Sequence, residues 1–539
     1  MSTVLLVPLL VPLSLGALLL LGARLPINLH RAIGISGALI FLITALGLLA
    51  QSIQGGVSAT LIGDWPAPYG IVLVCDRLSA LMLTLTGLLA VASLLSATDG
   101  SDARGRHFHA LFQFQLFGLA GAFLTGDLFN LFVFFEVLLI ASYGLLMHGG
   151  GAARTRATLQ YLVLNLIGSS LFLMGAAMIY DAAAGSLNMA HLASALAGLP
   201  PADAALAGAG GMLLVAVFAL KAALLPLHAW MVPAYAAAAA PVAVLFAMLT
   251  KVGVYALLRL LILLAAVGPS QPILAPLGLI LTLAAVLTIA AGSLGVMASA
   301  SLRPMIAYLV MVSIGTLLAG IAPGTSDGLA AALYYLIHTT LITGGLFLLA
   351  DLVAAGRAQG GRLVIGERPP SAAVLAPLFL LGALAIVGLP PLSGFLGKVL
   401  ILDAVKDAAP LNDSVAWPWV WGAVLGSSML VLLGLSRAGV LLLWHGPGSE
   451  RARPTAIARS SSAVRSAVGS AGGLERGALV ATIGLLSASP LLMLFAGPVT
   501  AFTLATARQT LDNSDYVAAV ATLVPTSQAV SARTEGLQP

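Results

Sequence analysis

Long apolar stretches recur from one end of the chain to the other, and they limit its fold more than any other feature. Many of them exceed the ~20 residues that an α-helix needs to cross the hydrocarbon core of a bilayer. Hydrophobic residues make up 60% of the 539 residues and charged residues only 8%, whereas an average soluble domain has roughly 25% charged residues. The sequence therefore predicts an all-α, polytopic membrane protein rather than a soluble core with one anchor.

Fourteen apolar windows predict about fourteen transmembrane helices. The N-terminal segment lacks the positive region and the small-residue cleavage site of a secretory signal, so we predict that it forms the first of these helices. The windows cover residues 4–22, 32–50, 71–96, 108–125, 128–147, 157–180, 208–230, 238–260, 272–297, 302–321, 328–351, 373–403, 416–443 and 477–500.

Basic residues are unevenly distributed over the predicted loops. The odd-numbered connections hold sixteen arginines, while the even-numbered connections and both tails together hold four arginines or lysines. The positive-inside rule then places the odd loops in the cytoplasm and both termini on the external, periplasmic side. Because the arginines are spread over short loops and form no basic face, the charge pattern argues against a nucleic-acid partner.

The sequence contains no cofactor-binding motif. A single cysteine, Cys75, excludes an internal disulfide, a cysteine-ligated zinc site and an iron–sulfur cluster held by this chain alone. The lack of a Walker loop, a zinc signature and a nucleophile elbow argues against an ATP-driven pump or a membrane hydrolase. We therefore expect no cofactor and no enzymatic reaction in this chain, and we expect any redox centre to lie in another subunit.

Several ionisable side chains fall inside the apolar windows. A central charge costs ~2.5–3.5 kcal/mol on insertion scales, so four unpaired charges would cost on the order of ten kcal/mol, which rivals the stability of an ordinary domain. These side chains must therefore face one another or a hydrated interior rather than lipid. They are Glu136, Lys221, Lys251, His228, His338 and Lys398, with Asp76, Arg77 and Asp127 nearer the helix ends.

Glu136 and Lys221 have similar depths in their windows and are predicted to pair. Such a pair can be purely structural, holding two helices in register, but ion pairing alone does not account for three buried lysines beside one glutamate. Burial favours the uncharged amine of a lysine, so a buried lysine can release and regain a proton. A histidine can do the same near neutral pH. The surplus indicates a proton relay, although a packed, hydrogen-bonded His228 is equally compatible with the sequence.

Prolines are expected to interrupt two helices close to their lysines. Pro226 follows Lys221 by five residues, and the Pro390-Pro391 pair ends seven residues before Lys398. Interrupted backbone is tolerated at membrane depth only where protein or water covers it. Broken helices at matching places in two halves are typical of transporters built from inverted repeats.

The positions of these breaks predict two inverted five-helix repeats, made of helices 4–8 and helices 9–13. Broken helices 7 and 12 then correspond to one another, and their lysines become pseudo-symmetric partners. The longest connection is rich in Arg, Ser and Gly and is interpreted as a flexible tether rather than a regulatory site. The predicted segments are the N-terminal helices 1–3 (1–106), the first repeat (107–260), the second repeat (261–443), a basic cytoplasmic loop (444–476), helix 14 (477–500) and a polar external tail without a span (501–539).

Five segments together resemble one family of membrane proteins. In chain order they read GDLFNLFVFFEVLLIASYGLL, FALKAALLPLHAW, LFAMLTKVGVYALLR, YYLIHTTLITGGLFLL and GLPPLSGFLGK. Their order and helix positions resemble the antiporter-like family shared by Mrp-type multisubunit Na⁺/H⁺ antiporters and the membrane arm of respiratory complex I. The resemblance extends over residues 70–440.

The resemblance implies roles for five side chains. Glu136 and Lys221 would form the proton-input pair, Lys251 and His338 the central hydrophilic axis, and Lys398 the end of the relay. It also implies a subunit of a hetero-oligomeric antiporter complex, embedded in the lipid of a bacterial inner membrane. In such a complex the proton-motive force drives the exchange of H⁺ for Na⁺, or for K⁺ or Li⁺.

Lysine at position 398 favours the Mrp branch over one complex I subunit that has glutamate there, whereas another complex I subunit also has lysine. The 444–476 connection and the segment after residue 500 depart from the family pattern. Two rival functions therefore remain. One is a proton-pumping subunit of a complex I-like NADH:quinone oxidoreductase or related hydrogenase, and the other is a subunit that only scaffolds a complex.

The sequence does not locate the cation site. A hard cation such as Na⁺ prefers several oxygen ligands. Asp76, Asp127 and the hydroxyl side chains are candidates that the sequence does not rank, and a site in another subunit is an alternative.

Overall fold

The chain folds into a bundle of α-helices with a short β-hairpin. A computed structural model describes residues 2–65, 70–183, 185–267, 274, 276–408, 417–444 and 476–523. The helices and strands of these residues are α1 (Val7–Leu21), α2 (Ile27–Gly55), β1 (Ser58–Leu61), β2 (Val72–Cys75), α3 (Arg77–Ala97), α4 (Phe108–Leu124), α5 (Leu128–Met147), α6 (Ala152–Ala182), α7 (Met189–Ala195), α8 (Pro201–Lys221), α9 (Met231–Ala237), α10 (Ala240–Phe246), α11 (Leu249–Val267), α12 (Leu277–Ala298), α13 (Leu302–Ile321), α14 (Ser326–Ala355), α15 (Ala372–Val387), α16 (Ser393–Ala408), α17 (Trp417–Gly439), α18 (Arg476–Leu486), α19 (Ala488–Leu494), α20 (Ala496–Leu511) and α21 (Ser514–Ala521).

Twelve helical segments of the described residues are long and apolar enough to cross a membrane. They coincide with twelve of the fourteen predicted windows. The other two windows are also helical, but α4 has only 17 residues, and the window at 373–403 divides into α15 and α16 with 16 residues each. The all-α, polytopic fold is therefore confirmed, while the number of fourteen crossings stays a prediction.

Polar residues fix the starts of two spans. The Asp76 carboxylate accepts the backbone N–H of Ser79 at 2.8 Å at the start of α3, and Asp127 accepts that of Asn130 at 2.8 Å at the start of α5. A capping carboxylate satisfies N–H groups that the first helical turn leaves without a partner. Both aspartates thus have a structural role at the end of a span.

Helix α14, which carries His338, lies at the centre of the bundle. In its most apolar 18-residue window 94% of the residues are buried, against 33% for the corresponding window of α2. It packs against α10, α13, α15, α16, α18 and α20. Polar side chains on α14 therefore face protein rather than lipid.

A buried ion pair ties the connection between α3 and α4 to the bundle. Asp102 is 1% exposed and accepts from Arg31 Nε at 2.7 Å and Nη2 at 2.8 Å, and its Oδ2 lies 3.1 Å from His109 Nε2. Burial acts to raise the pKa of Asp102, but the hydrogen bonds from Arg31 and His109 hold that pKa well below its usual value. The charged carboxylate therefore stabilises this end of the bundle.

The segment after residue 500 contains more helix than the predicted polar tail. It forms the rest of α20 and then α21, and the ring of Tyr516 in α21 lies 5.5 Å from the guanidinium carbon of Arg259. The backbone N–H of Arg77 donates to Gln509 Oε1 at 3.0 Å, so α20 also contacts the start of α3. Residues 524–539 of the tail and residues 445–475 of the predicted basic loop lie outside the described residues.

Candidate functional site

The first predicted break follows Lys221, as expected. Helix α8 ends at this residue, and residues 222–230 form turns before α9 begins. The break exposes backbone groups, and neighbouring side chains satisfy them: Trp230 Nε1 donates to the Leu220 carbonyl at 2.9 Å, and the Leu225 N–H donates to Thr288 Oγ1 at 3.0 Å. Protein atoms thus cover the interrupted backbone, as a break at membrane depth requires.

Lys221 and Glu136 do not form the direct ion pair that the sequence predicts. Lys221 is 4% exposed, and its Nζ has no hydrogen-bond partner among the described residues. The Glu136 carboxylate instead accepts a hydrogen bond from Ser169 Oγ of α6. Lys221 Nζ lies 5.5 Å from the centre of the ring of Phe135, the residue that precedes Glu136. The glutamate is therefore near the lysine but bonded to a different side chain.

Lys251 lies beside this first break. It is 0% exposed, and its Nζ also lacks a hydrogen-bond partner in the described part of the chain. Helix α10 ends at Phe246 and α11 begins at Leu249, so a further interruption, separate from the two predicted breaks, lies a few residues before Lys251. Gly253, half a turn further on, touches the backbone at the end of α8, and a Cβ there would lie 2.6 Å from the carbonyl carbon of Lys221. The two lysines therefore belong to helices in direct backbone contact.

His338 lies in the middle of α14 and is 0% exposed. Its Nδ1 is 2.8 Å from Ser393 Oγ, which is in turn 2.9 Å from Ser489 Oγ. Its Nε2 has no partner among the described residues. The histidine is thus bonded on one side of its ring only.

The second predicted break precedes Lys398, again as expected. Helix α15 ends at Val387, Gly388 follows with a φ of 84° that favours glycine, and α16 begins at Ser393. Lys398 Nζ donates to the Val387 carbonyl at 2.7 Å and to Ser428 Oγ at 2.9 Å. Lys398 therefore donates a hydrogen bond to a carbonyl that the break exposes. At the first break the corresponding donor is Trp230, which bonds the Leu220 carbonyl.

The remaining candidate residues are arranged differently. Asp76 Oδ2 accepts from Arg259 Nη2 at 2.6 Å in a buried ion pair, so it is not free to bind a cation. His228 lies in the turns after α8 and is only partly buried. The described residues contain no group of three or more His, Cys, Asp or Glu side chains that could hold a metal ion.

Sequence reasoning missed the polar neighbours of the predicted relay residues. Serines in apolar helices usually bond their own backbone, so nothing in the sequence distinguishes the serines that contact Glu136, His338 and Lys398. It also missed the partner of Asp76, because Arg259 lies 183 residues away in the chain. These serine contacts are Ser169 to Glu136, Ser393 to His338 and Ser428 to Lys398.

Taken together, buried and half-buried groups that can gain and lose protons extend across both halves of the bundle. They begin at the half-buried Glu136, include two amines without hydrogen bonds to any described residue, and continue through the central histidine to Lys398 at the second break. A buried amine without a hydrogen bond lowers the stability of the protein. Such an amine can nevertheless be retained where its gain and loss of a proton are needed for function. The arrangement is chemically suited to passing protons between neighbouring side chains.

Comparison with known proteins identifies the family. Residues 125–430 match the family described as "NADH:quinone oxidoreductase/Mrp antiporter, TM". The chain is 41% identical over 480 residues to the D-type subunit of a probable K⁺/H⁺ antiporter from Rhizobium meliloti (strain 1021), covering 82% of this chain and 86% of that protein. It is 34% identical over 458 residues to the D-type subunit of an Na⁺/H⁺ antiporter from Bacillus subtilis (strain 168), covering 84% and 89%.

The fold of the chain is also similar to that of a solved structure. A chain in the structure of the Mrp complex from Dietzia sp. DQ12-45-1b superposes with a TM-score of 0.81 at 26% identity, covering 96% of this chain and 100% of that one. The family resemblance of the five sequence segments is thereby confirmed. The chain belongs to the NADH:quinone oxidoreductase/Mrp antiporter transmembrane family.

Proposed function

We propose that this chain is the proton-translocating subunit, of the D type, in a multisubunit antiporter that exchanges H⁺ for a monovalent cation. The observation that carries the proposal is the pair of buried amines, Lys221 and Lys251, which have no hydrogen bonds within the described residues and adjoin an interrupted helix. A chain whose only task was to scaffold a complex would gain stability by replacing both with apolar side chains.

Protons would move between two half-channels through Glu136, Lys221, Lys251, His338 and Lys398. A proton that arrives at one group changes the charge that the next group experiences, and the groups then exchange hydrogen-bond partners. Glu136 has two alternative partners, because it is bonded to Ser169 and lies near Lys221, whose Nζ has no hydrogen bond within the described residues. Its alternation between them would connect and disconnect the input side of the relay.

The inverted-repeat arrangement belongs to the same proposal. Two interrupted helices, each with a lysine at its break, support a correspondence between helices 7 and 12. With both termini on the external side of a bacterial inner membrane, the two breaks would belong to half-channels that open to opposite sides. The proton-motive force would drive the exchange, at ~2.3 kcal/mol per charge per 100 mV of membrane potential.

The exchanged cation would be Na⁺ or K⁺, with Li⁺ as a substitute. The names of the two relatives differ in this respect, one belonging to a K⁺/H⁺ antiporter and the other to an Na⁺/H⁺ antiporter. Asp76 is bonded to an arginine, so hydroxyl and carbonyl oxygens of this chain or of other subunits would supply the cation path. Each assay should therefore compare both cations.

The proposal is tested in everted membrane vesicles from an antiporter-deficient strain that expresses the complete operon. Addition of Na⁺ or K⁺ should dissipate a preformed pH gradient, and Lys398→Ala should abolish this response while the complex still assembles. Lys406→Ala is the matched control, because Lys406 is exposed and lies on the same helix. If an assembled Lys398→Ala complex exchanged H⁺ for the cation at the wild-type rate, the proposed relay would be contradicted.

The second candidate is a proton-pumping subunit of a complex I-like oxidoreductase, favoured by the shared family that includes NADH:quinone oxidoreductases. It would use the same side chains, but electron transfer in partner chains would drive the protons. Vesicles that form a pH gradient with an electron donor and show no response to Na⁺ or K⁺ would favour this candidate. Unimpaired exchange after Glu136→Ala would instead favour a scaffold.

A further inference from the structure

Three side chains from three different helices form a hydrogen-bonded chain at the centre of the bundle. Ser489 of α19 bonds Ser393 of α16, and Ser393 bonds Nδ1 of His338 on α14, with distances of 2.9 Å and 2.8 Å. All three residues are 0% exposed. Bulk water therefore does not compete for these hydrogen bonds. Through Ser489 they link the predicted fourteenth helix, which lies outside both predicted repeats, to the central histidine.

The direction of hydrogen donation decides which nitrogen of His338 carries the proton of the neutral ring. If Nδ1–H donated to Ser393, then Ser393 would donate to Ser489, and the Ser489 hydroxyl hydrogen would need a further acceptor. Ser489 Oγ has no other hydrogen-bond partner among the described residues. If Ser489 donates to Ser393 and Ser393 donates to an unprotonated Nδ1, every hydroxyl hydrogen has an acceptor. In the second direction the remaining buried donor is Nε2–H instead of the Ser489 hydroxyl. Because a buried donor without an acceptor costs roughly 1–3 kcal/mol, the direction whose remaining donor lies near a carbonyl oxygen is favoured.

The surroundings of Nε2 favour the second direction. Gly394 lies against both Nε2 and the carbonyl oxygen of Ala385, and a Cβ at this glycine would be 2.8 Å from Nε2 and still closer to that oxygen. Nε2 therefore lies near this carbonyl oxygen, although the two atoms form no hydrogen bond in this structure. The oxygen attracts a proton on Nε2, whereas it repels the lone pair of an unprotonated Nε2. Ala385 belongs to the last turn of α15, next to the break at which Lys398 is bound.

We propose that Ser393 and Ser489 are positioning residues that hold neutral His338 in the Nε2–H tautomer. The ring then presents a proton donor toward the broken helix and Lys398, and an acceptor toward the two serines. A second proton adds to Nδ1, and the resulting Nδ1–H donates to Ser393 only after the hydroxyls of Ser393 and Ser489 both rotate. Protonation of His338 is thereby coupled to helices α16 and α19.

This inference rests on the proposed function for its role in transport, because it describes how one relay residue is prepared. The tautomer itself is a property of the resting protein. It can be measured without any transport assay.

The test is solid-state NMR of the assembled complex in lipid vesicles, with ¹⁵N-labelled histidine, at a pH at which His338 is neutral. Protonated and unprotonated ring nitrogens give separate signals, and His338→Gln identifies the signals of His338. The wild type should show Nε2–H. Ser393→Ala should change the tautomer ratio roughly fivefold or more, which corresponds to the loss of one net hydrogen bond. Ser489→Ala should change the ratio less. Ser393→Thr keeps the hydroxyl and should show the wild-type ratio.

Ser487→Ala is the matched control. Ser487 precedes α19 by one residue and bonds the Gly484 carbonyl at 2.8 Å, without contact to His338. Its spectrum should equal that of the wild type. A wild-type Nδ1–H tautomer, or an unchanged ratio in Ser393→Ala, would overturn the proposal.

The same vesicles separate this proposal from the proposed function. Cation-driven proton exchange should decrease in Ser393→Ala and recover in Ser393→Thr. If the tautomer changes but the exchange rate does not, the positioning role in transport is refuted. If the wild type shows no exchange of H⁺ for Na⁺ or K⁺, the proposed function fails, while the NMR result still decides the tautomer.

Discussion

Gly253→Ala should impair transport, although it replaces a glycine inside α11, where alanine is the better helix former. On helix propensity alone, alanine would stabilise α11 by about 1 kcal/mol. The new Cβ, however, would lie 2.6 Å from the carbonyl carbon of Lys221 and closer still to the backbone nitrogen of Ala222, whereas ordinary contact begins at 3.4 Å. To restore ordinary contact with this carbon, the two backbones must separate by about 3.4 − 2.6 = 0.8 Å, because neither contact atom belongs to a flexible side chain.

Two consequences of this displacement can be measured. Overpacking costs ~1–3 kcal/mol, so it offsets or exceeds the gain in helix propensity. A displacement near 1 Å between proton-transfer groups is expected to lower the rate by about 10². Cation-driven proton exchange in everted vesicles should decrease by that factor, at an amount of assembled complex fixed by immunoblotting.

The matched control is Gly484→Ala on α18, where a Cβ meets no atom within 4 Å. This variant should exchange at the wild-type rate. A Gly253→Ala complex with a wild-type rate would refute the close contact between α8 and α11, and with it the alignment of Lys221 and Lys251.

Three further predictions concern the polar contacts. Ser169→Ala should slow exchange about tenfold, because Glu136 loses a charge-assisted hydrogen bond of ~1.5 kcal/mol, and Ser169→Thr should retain the rate; equal rates for all three proteins would contradict the alternation of Glu136. Asp76→Asn should destabilise the complex by ~3–5 kcal/mol in thermal melting, since it leaves the Arg259 charge buried without its partner, and an unchanged melting temperature would show the pair to be dispensable. Asp102→Asn should melt earlier at neutral pH. Because the folded-state pKa of Asp102 is lowered, its stabilisation is present above the unfolded value of about 3.9 and is lost as the pH falls below it; the two melting temperatures should converge in acid, and a constant difference would contradict the ion pair.

Much of the fold could be predicted because burial in a bilayer leaves a simple pattern. A run of apolar residues long enough to cross the membrane is unambiguous, and the prolines before Lys398 and after Lys221 mark breaks that the structure contains. The interruption between α10 and α11 has no such mark, since no proline or glycine occupies residues 246–249. The sequence also did not predict the helices after residue 500, because they contain many polar residues and their apolar face is weak.

The site was predictable in its charges and not in its hydrogen bonds. A charged residue inside an apolar window stands out, so Glu136, Lys221 and Lys251 could be found from the sequence alone. The position of a carboxylate depends on which neighbour is within reach in three dimensions, and a serine on α6 is bonded where a lysine on α8 was expected. Contacts of this kind depend on helix packing, which apolar periodicity does not encode.

The central claim is that the buried amines are kept for proton transfer and not for stability. Lys251 tests it most directly, because its Nζ is fully buried and has no hydrogen bond to any described residue. In a purified complex reconstituted into proteoliposomes, Lys251→Met should melt at the wild-type temperature or above it, since an unpaired buried amine is replaced by an apolar side chain of similar length. The same variant should show no exchange of H⁺ for Na⁺ or K⁺ under an imposed pH gradient. Exchange at the wild-type rate would contradict the account.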